Sequence, residues 1–253
     1  MKKVLLTAAA ALAIAAPGVA AAQTSGFVGV DLTSIDDEAD GDKENAMTLE
    51  AAMVTNVHGM FNLQIDAEMA NMDHDSHVDT FSSLNLHGFY RSDVFAVGGL
   101  VGLDNESGSS RYNLGVEGQF YLPRATLTGA YTYSNDYDDG DFDIHNIDVN
   151  GQFFLTPHTA LGANLGWTDS EWTGQDGFSY GLTAEHQFAG TPFSLGAHVT
   201  RAELDYSGGG GHDVETFGVF GRWNFGTPDL QMRSTTGASL IGGSGVRNAI
   251  LQW

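Results

Sequence analysis

The chain of 253 residues contains no cysteine and only 5 prolines. Without cysteine, it can form neither a disulfide bond nor a thiol nucleophile, and it cannot build a cysteine-ligated zinc or iron–sulfur site. Basic residues are also scarce, because 10 Lys and Arg stand against 32 Asp and Glu, for a formal net charge of -22. A surface this acidic repels the phosphates of nucleic acid, so we expect no nucleic-acid partner.

Long apolar runs are missing everywhere except at the N-terminus. There, residues 1–3 (Met-Lys-Lys) precede a short apolar stretch that is interrupted by Pro17 and Gly18 and ends in three alanines at 20–22. A basic start, a short apolar middle and an A-x-A site predict a secretory signal peptide over residues 1–22, with a membrane anchor as the alternative. No later stretch reaches the roughly 18 apolar residues of a membrane-spanning helix, and the 33 glycines do not favour a helical protein.

The remainder of the chain alternates apolar and polar residues with a period of two. In residues 61–69, for example, Asn62, Gln64, Asp66 and Glu68 interleave with apolar neighbours. This is the side-chain period of a β-strand with one oily and one polar face. Twelve segments follow the pattern between turn residues, at 26–35, 45–57, 60–72, 78–91, 94–104, 110–122, 125–135, 143–156, 159–169, 177–189, 193–205 and 215–225.

The connections between these segments alternate in length. One set is tight, as at 58–59 and 123–124, and the other set is longer, as at 36–44 and 206–214. Short turns at one end, longer loops at the other and an even strand count are typical of outer-membrane β-barrels. We therefore predict an all-β fold over residues 23–225, an antiparallel up-and-down transmembrane β-barrel of about 12 strands.

Two details of this fold prediction stay open. A soluble β-sandwich would show the same alternation, although the free use of Gly, Ala and aromatic residues in the apolar set, and the aromatics near strand ends, favour the barrel. Within the eighth segment, Ile144 is out of phase with Ile147, which predicts a β-bulge at its start.

The last segment, Phe217-x-Val219-x-Gly221-x-Trp223-x-Phe225, alternates and ends in an aromatic residue. With that strand, the chain up to Phe225 resembles the porin-like outer-membrane β-barrel proteins of Gram-negative bacteria. The resemblance rests on a pattern rather than on a motif. It implies a protein of the cell outer membrane that is inserted by the barrel assembly machinery, contacts outer-membrane lipid and lipopolysaccharide, and needs no cofactor.

Residues 226–253 depart from that resemblance, since typical members end at the terminal aromatic residue. The segment is rich in Gly, Ser and Thr and ends in another alternating stretch, Ala249-x-Leu251-x-Trp253. We predict barrel closure at 215–225, with the tail on the periplasmic side or folded into the lumen. A final strand at the C-terminus is the alternative.

Acidic residues concentrate in the longer loops, which face the cell exterior in barrels of this kind. Such carboxylates keep the loops hydrated, and they would also concentrate divalent cations that bridge them to lipopolysaccharide phosphates. We therefore expect divalent cations as partners of the outer loops. The predicted extracellular acidic rim includes Asp36, Asp37, Asp136, Asp138, Asp139 and Asp141.

The polar phase of the strands points into the lumen if the apolar phase faces lipid. Acids outnumber bases in this phase, so a water-filled lumen would favour cations. We therefore predict a narrow diffusion channel for small solutes with cation preference. Its predicted pore-lining residues are Glu50, Gln64, Asp66, Glu68, Asn85, His87, Arg91, Glu117, Gln119, Asp148, Asn150, Asn164, Glu185, His198 and Arg222.

A sealed barrel is the first alternative to a channel. Twelve strands enclose far less space than the 16–18 strands of general porins. Arg91 and Arg222 would close the lumen if they paired with carboxylates across it. Such a barrel would have a structural or lipopolysaccharide-interacting role.

An enzyme with a rim active site, acting on lipid or on protein, is the second alternative. Its best candidate is the loop MDHDSHVDT, where Asp73, His74, Asp75 and His77 form a candidate metal site. A solvated polar turn explains the same loop. The chain has no G-x-S-x-G and no H-E-x-x-H motif, so we predict no catalytic residue and no enzymatic activity.

Overall fold

The computed structural model describes residues 24–38, 43–74, 77–106, 109–136, 143–170, 175–206 and 209–240. One short helix, α1 (Leu230–Thr236), follows the last strand. No helix in these ranges has the length and hydropathy to cross a membrane. The strands are β1 (Thr24–Asp37), β2 (Lys43–His58), β3 (Phe61–His74), β4 (His77–Arg91), β5 (Phe95–Glu106), β6 (Ser109–Leu122), β7 (Ala125–Asp136), β8 (Asp143–Thr156), β9 (Thr159–Ser170), β10 (Gln175–Gln187), β11 (Phe193–Tyr206) and β12 (Gly211–Phe225).

The strands form one closed antiparallel sheet. Each strand pairs with the next one along the chain, and β12 returns to pair with β1, in register from Gly26 opposite Phe225 to Asp37 opposite Val214. Closure lets the backbone N–H and C=O groups of neighbouring strands satisfy each other, which a sheet in a membrane requires. The prediction of an antiparallel up-and-down barrel of about 12 strands is confirmed, and the alternative of a two-layer sandwich is wrong.

The side chains of each strand alternate between two environments. In β10, Phe178, Tyr180 and Leu182 point away from the barrel, and Leu182 is 62% exposed. Ser179 and Glu185 point inward, and Glu185 is only 4% exposed. The same alternation leaves a band of exposed aliphatic and aromatic residues around the outer wall, as a lipid-facing surface requires.

The predicted bulge at the start of β8 is wrong. Ile144 pairs with Ser134 of β7 and with Ser170 of β9, and the register continues from there without a shift into the strand. Ile144 faces inward and is 3% exposed, so its different phase reflects an apolar side chain inside the barrel rather than an extra residue. A register shift occurs instead beside the tight turn, between Phe154 and Thr156.

Apolar clusters occupy both ends of the lumen. At the end beside the longer loops, the long-loop mouth, the inward-facing cluster consists of Ile35, Ala46, Ala70, Met72, Phe81, Ala202, Leu204 and Val214. At the end beside the tight turns, the short-turn mouth, the cluster consists of Ala52, Val54, Phe89, Ala96, Tyr121, Ala238 and Leu240. Ala238 and Leu240 come after α1, so the segment beyond the barrel contributes to its interior.

Candidate functional site

A cavity of about 340 Å³ lies inside the barrel. Strand residues form its walls, and the segment after β12 forms part of its boundary. Four carboxylates and two guanidinium groups line the cavity, together with amide and hydroxyl groups. The charged lining residues are Glu50, Asp66, Glu68, Glu185, Arg222 and Arg233.

Arg222 of β12 connects two of these carboxylates. Its Nε donates to Glu50 Oε1 at 2.5 Å and its Nη2 donates to Glu50 Oε2 at 3.0 Å, which is a bidentate pair. Its Nη1 donates to Glu185 Oε2 at 3.3 Å. The guanidinium also lies 4.6 Å from the ring centre of Phe27 and 4.4 Å from that of Phe220. These aromatic contacts fix its orientation in the lumen.

Arg233 of α1 supplies a second guanidinium to Glu185. Its Nη1 lies 2.8 Å from Glu185 Oε1, and its Nη2 lies 2.5 Å from Glu185 Oε2. Its Nη1 also donates to Asn224 Oδ1 at 2.7 Å, and Ser194 Oγ donates to Glu185 Oε1 at 2.7 Å. Glu185 is therefore a buried carboxylate whose charge is balanced from the barrel wall and from the tail at once.

His87 lies between two carboxylates on neighbouring parts of the wall. Its Nδ1 lies 2.7 Å from Glu117 Oε1, and its Nε2 lies 3.0 Å from Asp66 Oδ2. The His87 side chain is fully buried. The Nδ1 contact is a hydrogen bond, and the Nε2 contact is at ion-pair distance, so the imidazole links Glu117 and Asp66 inside the barrel.

The remaining predicted pore-lining residues also occupy the inward-facing phase of their strands. Asn85, Gln119 and Asn150 line the cavity with the acids named above, and Gln64 and Glu117 are almost fully buried. Asp148 of β8 and Asn164 of β9 share the phase of Asn150, which lies opposite Asn164. His198 Nε2 lies 3.0 Å from Asp31 Oδ2, and Arg91 Nε donates to Tyr121 Oη at 3.1 Å.

The predicted acidic rim is only partly within the described chain. Asp138, Asp139 and Asp141 lie outside the described residues, and so does the side chain of Asp136. Asp37 faces inward, with its Oδ2 3.5 Å from His212 Nε2. Asp36 faces outward, 2.8 Å from Lys43 Nζ, and this hydrogen bond raises the pKa of Lys43.

The candidate metal loop lies mostly outside the described residues. Asp75 lies outside the described residues, as do the side chains of Asp73, His74 and His77, although His74 and His77 pair through their backbones at the ends of β3 and β4. Within the described part of the chain, no group of three or more His, Asp or Glu residues is placed to hold a metal ion.

Several residues of the lumen were not predicted from the sequence. Arg233 is the only basic residue of α1. The signal that points to it is Glu185, a buried carboxylate whose charge needs a second partner. Gly29, Phe27 and Phe220 surround Arg222. Because the pore lining was predicted from the polar residues of the strands, it did not include these three. Arg201 lies on the outer wall rather than in the lumen, where it contacts Asp213 and Glu215.

Comparisons with known proteins agree with this architecture. No protein-family model matches the sequence, and no curated protein matches it. The KdgM porin, solved in complex with disordered oligogalacturonate, aligns over 79% of this chain and 99% of its own, with a TM-score of 0.56 at 9% identity. The chain has the fold of a porin-like outer-membrane β-barrel.

Two further structures share this porin-like fold. An outer membrane channel from Pseudomonas putida F1 aligns over 82% of this chain and 97% of its own, with a TM-score of 0.62 at 12% identity. The NanC porin aligns over 75% of this chain and 98% of its own, with a TM-score of 0.53 at 10% identity. The resemblance carried by the strand pattern is therefore confirmed for the fold.

Proposed function

We propose that this protein is an outer-membrane channel for the diffusion of small solutes, with a preference for cations. The closed barrel and the exposed apolar band on its wall support a place in a membrane. The observation that carries the channel is the polar cavity inside the barrel, because a diffusing solute needs polar groups that replace its water.

The proposed orientation places the longer loops at the cell exterior and the tight turns in the periplasm. The protein would reach the outer membrane through the signal peptide predicted at 1–22 and the barrel assembly machinery. Outer-membrane lipid would surround the wall. Carboxylates of the rim, with divalent cations bound between them and lipopolysaccharide phosphates, would form the contact with the outer leaflet.

The cation preference follows from the charges of the lining. Four carboxylates face two guanidinium groups in the cavity, and both guanidinium groups already bind carboxylates, Arg222 at Glu50 and Arg233 at Glu185. The remaining field is negative and attracts cations. An anionic solute such as the oligogalacturonate in the KdgM structure would be repelled by this lumen.

Reversal potentials in planar bilayers, measured across a KCl gradient, test the preference. We expect the sign of a cation-selective pore, and a smaller reversal potential for Glu68→Gln, which removes one lining charge. Glu203→Gln is the matched control, because Glu203 is exposed on the outward-facing phase of β11 and should leave the potential unchanged. Anion preference in the unaltered protein would contradict the proposal.

A sealed barrel is the second candidate. Glu50, Arg222, Glu185 and Arg233 form a continuous series of ion pairs on one side of the lumen, and such a series stiffens a barrel that conducts nothing. The porins and the channel that share the fold fit a transport role better than an enzymatic one.

A further inference from the structure

The chain turns back toward the lumen as soon as the barrel is complete. Gly226, the residue after β12, has a positive φ of 77°, and a Cβ there would lie 2.3 Å from the backbone oxygen of Thr24. Only glycine permits this conformation at this distance without strain. Pro228 then follows, and its carbonyl accepts from Gln187 Nε2 at 3.1 Å. The tail is thus held against the short-turn mouth from its first residues.

Helix α1 presents one face to the interior. Leu230, Arg233 and Ser234 are buried, while Met232 is 43% exposed. Leu230 packs in a cluster with Phe154 and Ala160, and Ser234 Oγ donates to Thr126 Oγ1 at 2.6 Å. With the Arg233–Glu185 pair, these contacts join the helix to strands on one side of the barrel.

The residues after α1 cross to the other side. Ser239 N donates to Gln64 Oε1 at 3.1 Å, and Gln64 Nε2 donates to the Leu240 carbonyl at 3.1 Å. Gln119 Nε2 donates to the Ser239 carbonyl at 2.8 Å. Gln64 lies on β3 and Glu185 lies on β10, which are five strands apart by the shorter way around the ring of twelve, so the segment spans the lumen.

The segment also forms part of the cavity boundary, through Arg233, Ser234, Ala238, Ser239 and Leu240. We propose that residues 226–240 are a resident plug of the short-turn mouth, latched by Arg233 on Glu185, and that conduction requires its displacement. This inference rests on the channel proposed above. It assigns the tail a gating role, and it accounts for polar residues of the wall that bind main-chain atoms rather than solute.

The barrel wall can stay intact when the plug is released. Glu185 keeps a second guanidinium, Arg222, when Arg233 leaves. Residues 237–240 are attached by hydrogen bonds with long side chains, which water can replace when the mouth opens, and by the packing of Ala238 and Leu240 in the apolar cluster of the short-turn mouth. The twelve-stranded closure through β1 and β12 does not involve the tail.

A disulfide lock in the full chain tests the plug directly. The native chain has no cysteine, and the Oγ atoms of Thr126 and Ser234 are 2.6 Å apart, so Thr126→Cys with Ser234→Cys places two sulfurs within bonding reach. We expect the oxidised protein to stay closed in planar bilayers, and reductant to restore the openings of the unaltered protein. Each single cysteine variant is the control. An oxidised protein that conducts like the unaltered one would overturn the plug.

Release of the latch is the complementary test. Arg233→Glu places a carboxylate against Glu185, and we expect a several-fold increase in conductance. Met232→Glu, which puts the same side chain on the exposed face of α1, should leave conductance unchanged. In a Ser234→Cys background, Arg233→Glu should also speed labelling by a water-soluble thiol reagent.

The two readouts separate the failure of the plug from the failure of the channel. Labelling that does not change with Arg233→Glu would show that Arg233 is no latch. If labelling becomes faster and the folded barrel still stays silent in bilayers, the tail has left the lumen and the lumen does not conduct. That outcome contradicts the channel itself.

Discussion

Arg222 and Glu50 form a bidentate ion pair although their strands are not neighbours, with Arg222 Nε 2.5 Å from Glu50 Oε1. Strand β1 lies between them, and Gly29 of β1 is paired with both residues. The absence of a side chain at Gly29 opens the space in which the guanidinium reaches the carboxylate. A Cβ there would lie 2.5 Å from Glu50 Oε1 and 2.8 Å from Arg222 Cγ.

Gly29→Ala should therefore break this pair. We expect the free energy of unfolding to fall by about 2 kcal/mol, the contribution of hydrogen bonds to charged groups, in urea titrations of the refolded barrel. Gly162→Ala is the control, because Gly162 also lines the cavity but a Cβ there would meet Thr183 Cβ at an ordinary 3.5 Å. Equal losses in both variants would show that the pair does not depend on Gly29.

His87→Ala should destabilise the barrel more strongly. It leaves Asp66 and Glu117 without the imidazole that lies between them, and loss of one partner from a buried ion pair costs about 3–5 kcal/mol. Urea titration measures the loss. His186→Ala is the matched control, since His186 is exposed on the outer wall and contacts Thr159. A similar stability for the two variants would contradict this role of His87.

Tyr133→Phe should change the titration of Asp143, the first residue of β8 beside the longer loop. Tyr133 Oη donates to Asp143 Oδ1 at 2.5 Å, and this bond, followed by that from Asn135, lowers the pKa of Asp143. The contact favours the ionised carboxyl, so its contribution is present at neutral pH and is lost as the pH falls through the lowered pKa.

Carboxyl-carbon NMR titration in micelles checks this expectation. In Tyr133→Phe the pKa of Asp143 should rise toward the usual range of an aspartate. Tyr112→Phe is the control, since the Tyr112 ring lies 6.4 Å from that of Tyr133 and should leave Asp143 unchanged. If the pKa of Asp143 is the same in the unaltered protein and in both variants, the hydrogen bond from Tyr133 is not formed.

Strand positions could be predicted from the sequence because the barrel wall separates lipid from lumen at every second residue. The ends of the strands could not be predicted, because backbone pairing continues beyond the apolar stretch of each strand. Strand β12, predicted from residue 215, begins at Gly211, which pairs with Asp205 of β11. Alternation also fails where the lumen itself is apolar, as at Ile35, Met72 and Leu204.

The inward phase of the polar residues could be predicted for the same reason, but their partners could not. Arg91 illustrates the difference, because the sealed-barrel alternative paired it with a carboxylate, whereas its Nη2 donates to the Gly237 carbonyl of the tail at 3.0 Å. Such contacts depend on where the tail docks, and Arg233 reaches Glu185 across 48 positions of sequence. Local patterns carry no information on contacts at that separation.

Leu230→Ala should loosen the docked tail without changing any charge. Leu230 is completely buried against Phe154 and Ala160, and truncation of a buried leucine costs about 2–5 kcal/mol. Because the Arg233 side chain is itself buried in the docked state, trypsin can cut after it only when the tail opens.

Cleavage after Arg233, followed by mass spectrometry, measures that opening. A loss of about 2 kcal/mol in docking free energy corresponds to cleavage more than about tenfold faster. Met232→Ala, at the exposed neighbouring position, should be cut at the rate of the unaltered protein. If both variants are cut at one rate, the Leu230 contact contributes nothing to docking, and the other contacts of the tail must hold it.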